Sequence, residues 1–469
     1  MTTAEGRGAA SPRGANPEQA TPGDADRAPR STGRLARFFD LDGHGTTVRT
    51  ELFAGLTTFL TMAYIVVVNP VILGAAGMPV AGVAVATCLA SGFASILMGL
   101  LSNYPLALAP GMGLNAYFTY TVVKTMGLPW QVALGCVFLS AVAFLLLTLS
   151  GVRQLIMNAI PRSLFAAVGG GIGLFIAFIG LKNAGIIVSD PGTTVGLGRL
   201  TASTPALAIL GLLVIAVLQA RAVKGAMLLG ILGIAAVAWI FGFSHFTPSS
   251  YHLTDLSATA FRLDIPAALN LRGGIGFSLV EIVFVFLFVD LFDNVGTLMA
   301  VTKRAGLASA DGKVPRMNRI LLADSISMLF GALAGTSPVT SYIESTAGVS
   351  VGGRTGLTSV TVGLLFLGTL FVAPLVQAIP AVATAPALVL VGAMMMGALT
   401  DVSWHEPGEA IPAFLTAIMI PLSYSIANGL AFGIVSHAVL KLVRGRAEAR
   451  DWLVYVLAAL CVARFVYLS

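Results

Sequence analysis

Runs of about twenty apolar residues, almost free of charge, recur a dozen times between Glu51 and Val443. They fall at 51–73, 79–101, 129–150, 161–181, 203–220, 224–243, 274–301, 317–334, 355–378, 385–400, 409–424 and 426–443. A helix needs about 20 such residues to cross the hydrocarbon core of a bilayer. Lipid offers the backbone no hydrogen-bond partner, so each run must satisfy its own amides as a helix. Composition agrees, with 57% of the 469 residues hydrophobic and 10% charged, where a soluble domain carries about 25% charge. The chain is read as an all-α polytopic membrane protein. That excludes a cytosolic enzyme, a disordered chain and a nucleic-acid binder.

Two further stretches, 104–126 and 336–352, are apolar but interrupted by Pro, Gly, Ser and Thr. Counting each as one broken crossing gives fourteen segments. Charge supports that count. With the N-terminus in the cytoplasm, 21 of the 27 Lys and Arg residues fall inside. Five fall outside (Lys124, Lys182, Arg199, Arg262 and Arg272), and Arg464 is unassigned. This is the positive-inside pattern, and a re-entrant loop at either break would reverse every later segment. The last apolar stretch, 452–468, is short and contains Arg464, so an interfacial helix is favoured over a fifteenth span. Residues 1–45 hold almost no large apolar side chain before Leu35, too few to pay for folding, and are expected to form a disordered cytoplasmic tail. Cys88, Cys136 and Cys461 lie in apolar runs without metal or disulfide spacing.

The two breaks share a design. Pro110 removes a backbone donor and is followed by Gly111 and Gly113, while Gly335-Thr-Ser-Pro338 precedes a small, polar run. Each reads as an extended piece leading into a half-helix, which aims free N–H groups at mid-membrane. The breaks lie about 230 residues apart, one in each half of the chain. Seven crossings per half force opposite orientations, so the halves are expected to be inverted repeats meeting at a midplane site.

Carboxylates mark that site. Asp290 and Asp293 share a face of one span, Glu344 lies just inside the second half-helix, and Asp324 and Glu281 occupy neighbouring spans. An ionised Asp at mid-membrane costs about 2.5–3.5 kcal/mol, and no Lys or Arg lies in the interior of these spans to offset it. Such acids bind a cation, share a proton or accept hydrogen bonds from a substrate. Glu344 and Asp293 are the leading candidates, and Asn115 in the first half-helix can offer an amide to a substrate edge. Asn69, Asn428 and His437 read as interhelical hydrogen-bond or packing residues. Gly169–Gly173 reads as a helix-packing surface.

The strings Gly55–Pro70, Ala109–Phe118, Asp290–Thr297 and Thr340–Gly348 resemble the azaguanine-like branch of the nucleobase–cation symporters. The resemblance spans about residues 36–445 and includes Phe38-Phe-Asp-Leu. It implies the uracil-permease fold: fourteen segments in two inverted seven-segment repeats, with short strands in the broken third and tenth segments. It implies a core domain (46–151 and 274–380) and a gate domain (152–273 and 381–445), with 446–469 left as a C-terminal apolar segment. It also implies purine uptake coupled to H⁺ without a cofactor, and a homodimer in the cell membrane. By this carry-over Glu344, Asp293, Asn115, Thr340 and Ser341 bind the substrate, and Asp293, Glu344 and Asp290 carry the proton. One departure is Asp293-Asn294, where the uracil permeases have Glu and His.

A purine fits those residues, since its N–H groups need acceptors and its carbonyl and ring nitrogens need donors. Adenine, hypoxanthine and guanine differ by a single amine or carbonyl, and the sequence leaves them open. So does the choice of H⁺ or Na⁺. An inorganic-anion or bicarbonate carrier of the same fold would want a cation where the half-helices meet. A polytopic enzyme would need a metal, nucleophile or phosphate motif, and none stands on a span.

Overall fold

The computed structural model describes residues 33–151, 161–244, 253–269, 276–307, 314–371, 378–445 and 451–468. Helix α1 (Arg34–Phe38) precedes a first span built from α2 (Val48–Met62) and α3 (Ile65–Gly74). Then come α4 (Val80–Ser102), β1 (Leu108–Pro110), α5 (Met112–Ala116) with a π-helical continuation over Tyr117–Thr125, and α6 (Trp130–Leu149). Helix α7 (Arg162–Asn183) leads into β2 (Ile187–Asp190), β3 (Thr194–Leu197), α8 (Ser203–Ala220), α9 (Ala226–Ile240) and the short α10 (Ile265–Ala268). The second half holds α11 (Gly276–Ala305), α12 (Met317–Ala334), β4 (Val339–Ser341), α13 (Ser345–Ser350) and α14 (Gly356–Gly368). It continues through α15 (Ala381–Met395), α16 (Pro407–Ser423), α17 (Ile426–Val443) and α18 (Trp452–Leu468).

Among the described residues, nine helices are long and apolar enough to cross a membrane. The shorter apolar helices at 226–240, 356–371 and 407–423 and the two strand-plus-half-helix segments bring the crossings to fourteen ahead of the last short apolar helix, 452–466. The chain is a multi-pass membrane protein. Packing repeats between the halves: α4 lies on α14 as α12 lies on α6. Small residues let the backbones approach, as membrane helices require in place of a hydrophobic drive. A Cβ on Gly99 would strike the carbonyl of Gly356, and one on Gly173 would sit 2.6 Å from the carbonyl of Gly392. The glycine run 169–173 is thus a packing face, as its place within a span suggests.

Helices α7, α8, α9, α15, α16 and α17 pack mainly on one another, and α2, α4, α6, α12 and α14 on one another. Helix α11 bridges the two sets, touching α6 on one side and α7 and α17 on the other.

Three features depart from expectation. The tail expected over 1–45 is folded from Gly33 onward: Ala36, Phe39 and Leu41 are buried against Leu357, and the Asn103 amide donates to the Phe39 carbonyl at 2.9 Å. Three apolar side chains suffice to dock a short helix, and residues 1–32 lie outside the described residues. A second two-stranded sheet, β2 with β3, joins α7 to α8. Its turn is set by Asp190, whose Oδ1 accepts from the amides of Gly192 and Thr193 at 2.8 and 2.9 Å. Those bonds hold the exposed Asp190 carboxyl below the usual carboxylate range, Thr193 contributing most.

Helix α18 is the third departure. An interfacial helix would cross the end of α17, but α18 lies along it. Asp451 meets Lys441 at 2.8 Å, and Phe465 meets Phe432 with ring centroids 5.4 Å apart. At about 1.5 Å per residue its 17 residues extend some 25 Å, close to a full crossing. Arg464 does not oppose this placement, because it has a partner inside the bundle, Glu281 on α11, at 2.6 Å. The absence of a neutralising cation for Glu281 is therefore corrected: the cation arrives from the end of the chain.

Candidate functional site

The two breaks come together in the buried interior. Strands β1 and β4 pair antiparallel, Leu108 opposite Ser341, Ala109 opposite Thr340 and Pro110 opposite Val339. Outside the ladder, the Gly111 amide donates to the Pro338 carbonyl and the Tyr342 amide to the Ala107 carbonyl, each at 2.9 Å. Side chains complete the backbone account that lipid would leave open. Ser95 accepts from the Leu108 amide at 3.0 Å and donates to its carbonyl at 3.1 Å, and Ser345 accepts from the Ala107 amide at 3.0 Å. The Tyr342 hydroxyl donates to the Pro110 carbonyl. A proline that ends a helix is here a strand residue, at a position where the two strands do not bond each other, and its carbonyl accepts from Tyr342 instead.

The half-helices α5 and α13 leave this strand pair in opposite directions, each starting beside the other's strand. Gly111 and Gly113 permit the closeness. A Cβ at Gly111 would lie 2.7 Å from Thr340 Cγ2, and one at Gly113 would lie 2.5 Å from Ile172 of α7.

Glu344 is the residue immediately before α13, at its N-cap, one position earlier than the half-helix interior expected for it. Its Oε1 accepts from the Tyr64 hydroxyl at 2.8 Å. Tyr64 is buried at the break between α2 and α3, where the first span bends ahead of Asn69-Pro70. Asp293 stands on α11 within electrostatic reach of Glu344 and Asp324. Glu344 and Asp293 are both half-buried, whereas Asp290 and Asp324 are fully buried. Glu344 and Asp293 thus keep some of the exposure that Asp290 and Asp324 lack.

Around them stand buried polar atoms that find no partner among the described residues. Asn115 accepts from the Ser337 hydroxyl through Oδ1, while its Nδ2 is unpaired. Asn294 Nδ2, Thr340 Oγ1 and Ser341 Oγ are likewise unpaired. Native interiors leave few such atoms, and a cluster of them calls for a ligand or water. The structure therefore gathers Glu344, Asp293, Asn115, Thr340 and Ser341 on one strand pair and the helices beside it, with Asp290 one turn behind.

Other residues fall elsewhere. Asn69 ties three segments, its amide donating to Thr87 at 2.8 Å and Thr336 at 2.9 Å. Two residues with no role assigned from sequence emerge. Tyr64 positions Glu344, and the only signal for it is an aromatic hydroxyl two turns into an otherwise apolar helix break. Glu51 is fully buried and caps α14 from a distance. It accepts from the amides of Arg354 at 2.8 Å, Thr355 at 3.3 Å and Thr358 at 3.2 Å, and from the Thr358 hydroxyl at 2.6 Å. Among the described residues no group of His, Cys, Asp and Glu is placed to hold a metal ion.

Residues 49–432 match the family model Xan_ur_permease, described as Permease family. The chain is 47% identical to the adenine permease AdeP of Escherichia coli (strain K12), covering 93% of this chain and 97% of that one. It is 43% identical to the guanine/hypoxanthine permease PbuO of Bacillus subtilis (strain 168), covering 90% and 98%. The transmembrane domain of the cyanobacterial bicarbonate transporter BicA superposes with a TM-score of 0.60 at 16% identity, covering 82% of this chain and 97% of that one. At that identity the likeness speaks for the fold alone. Fold, broken segments and sequence agree: the chain belongs to this permease family and is a membrane transporter, not an enzyme.

Proposed function

We propose that the protein carries purine nucleobases across the cell membrane by proton-coupled alternating access. The observation that carries this reading is the pairing of two half-buried carboxylates with unpaired amide and hydroxyl groups at one strand crossing. A purine is flat and has N–H donors and ring-nitrogen or carbonyl acceptors on its edges. Glu344 and Asp293 accept its N–H groups, while Asn115 Nδ2 and Asn294 Nδ2 meet its acceptors. Thr340 and Ser341 serve either role, since a hydroxyl both donates and accepts. Buried groups left unpaired without substrate make the site selective, because a base lacking the matching edge leaves them unpaired still. Similarity to adenine and guanine/hypoxanthine permeases supports the class.

Proton coupling follows from charge. Two carboxylates within electrostatic reach, in a low-dielectric site, resist being ionised together. One proton on the pair relieves that, and Asp290, one turn behind Asp293, extends the path. Substrate and proton leave together when the site reopens on the other side. The moving parts are the two helix sets, with α2, α4, α6, α12 and α14 carrying the site and α7, α8, α9 and α15–α17 forming the frame. We place the N-terminus in the cytoplasm, from the charge bias of the loops, and read the protein as a homodimer. A bicarbonate carrier is disfavoured because carboxylates, not cations, line the meeting point of the half-helices.

The test is uptake of radiolabelled adenine, hypoxanthine and guanine into cells lacking their own base carriers, with and without a protonophore. Purine uptake that collapses with the proton gradient supports the reading. Uptake of no base, or uptake indifferent to the gradient, refutes the substrate class or the coupling respectively.

A further inference from the structure

The C-terminal helix α18 lies beyond residues 49–432, where the family model matches, and it contributes nothing to the strand crossing. Yet it brings an arginine into the bundle. Arg464 Nη2 contacts Glu281 Oε1 at 2.6 Å, with the two side chains 19% and 9% exposed. Glu281 stands on α11, the same helix that carries Asp290 and Asp293. A lone arginine or glutamate among apolar helices is costly, and an ionisable residue there is by default functional.

We infer that Arg464 is a positioning residue for transport: through Glu281 it ties the substrate-bearing helix α11 to the frame helix α17, making α18 a working part of the carrier. This inference rests on the proposed function above. Three observations carry it. First, α18 is fixed to α17 at both ends, by Lys441–Asp451 at 2.8 Å and by Phe432–Phe465, and the Arg464 guanidinium lies over the Phe465 ring at 5.3 Å. Arg464 therefore reaches α11 from a rigid base. Second, α11 is the helix that bridges the two packing sets, so a hold on it is a hold between parts that must shift during turnover.

Third, the contact is close but incomplete. Arg464 Nε and Nη1 are buried without a hydrogen-bond partner among the described residues. The hydroxyl of Tyr117, whose ring packs edge-on against Phe286 of α11, is buried and unpaired and lies within electrostatic reach of both charges. A fully satisfied network would lock the helices together. This one keeps spare donors, so the guanidinium can exchange partners as α11 moves and neither charge is stranded.

Four variants test it in vesicles and as purified protein: Glu281→Gln, Arg464→Gln, the double Glu281→Gln/Arg464→Gln, and the swap Glu281→Arg/Arg464→Glu. Each is measured for membrane abundance, for equilibrium binding of the base that the wild type transports, and for initial uptake rate. The single variants should lose maximal rate by about tenfold or more while base affinity per folded protein stays within about threefold. The swap should recover at least about a third of the wild-type rate. The uncharged double variant should reach normal abundance, bind base and still transport slowly. Wild-type rates in both single variants would overturn the inference. So would a double variant as fast as wild type, since the pair would then serve only to neutralise buried charge. A wild type that transports no base would instead sink the purine reading, and does so before any variant is made.

Discussion

Two glutamates in this molecule sit beside helix N-termini and do opposite work. Glu51 is fully buried, and three backbone amides and a hydroxyl from the start of α14 converge on its carboxylate. Glu344 stands at the N-cap of α13, half-buried, with one oxygen held by a single hydroxyl from Tyr64. The presence of an acid in an apolar setting does not separate them. Saturation does: an acid whose acceptor capacity is consumed by distant parts of its own fold is structural, and one that keeps acceptor capacity free is ready for a ligand.

The contrast can be attacked at either end. Glu344→Gln should lower base uptake by about 100-fold, or roughly 2.8 kcal/mol, with unchanged membrane abundance. Asp293→Asn should do the same, and full uptake in both would dissolve the distinction. Glu51→Ala should instead cost roughly 2–4 kcal/mol of stability by stripping the cap from α14. A lowered melting temperature in detergent, with unaltered base affinity in the folded fraction, is the signature to look for.

Smaller effects refine the picture. Tyr64→Phe removes one hydrogen bond to a charged acceptor and should raise KM about tenfold, near 1.4 kcal/mol. An unchanged KM would mean that Glu344 needs no help in pointing at the substrate. Ser341→Ala should weaken binding by only about two- to fivefold, the scale of one neutral hydrogen bond. The least effect belongs to Asp190. Its carboxyl is held below the usual range by the Thr193 and Gly192 amides. A lowered folded-state value stabilises the turn at every pH above the ordinary carboxylate range and fades only as pH falls through that lower value. Between pH 7 and pH 5 the uptake profile of Asp190→Asn should overlay that of the wild type.

Much of the architecture was legible in the sequence because membranes impose periodic, local rules. Span length, the positive bias of alternate loops and the Pro-Gly breaks at 110–113 and 335–338 each act within about 20 residues. The acids Asp293 and Glu344 stood out because apolar spans make any charge conspicuous. What escaped depends on partners far along the chain. Tyr64 meets Glu344 across 280 positions and Glu51 meets Thr358 across 307, and no local pattern encodes either. Arg464 misled for the same reason: unpaired it argues for an interfacial helix, and Glu281 removes that argument. The docking of 33–45 escaped because its three apolar anchors are too few to register against a polar background. The β2–β3 hairpin escaped because its turn rests on one Asp side chain.

The decisive measurement is equilibrium binding of radiolabelled adenine and hypoxanthine to purified protein, comparing wild type, Glu344→Gln and Glu51→Gln. If the open acid is the ligand's and the capped acid is the fold's, binding disappears in Glu344→Gln and persists in Glu51→Gln. Binding that survives in Glu344→Gln and fails in folded Glu51→Gln would contradict the placement of the site at the crossing of β1 and β4.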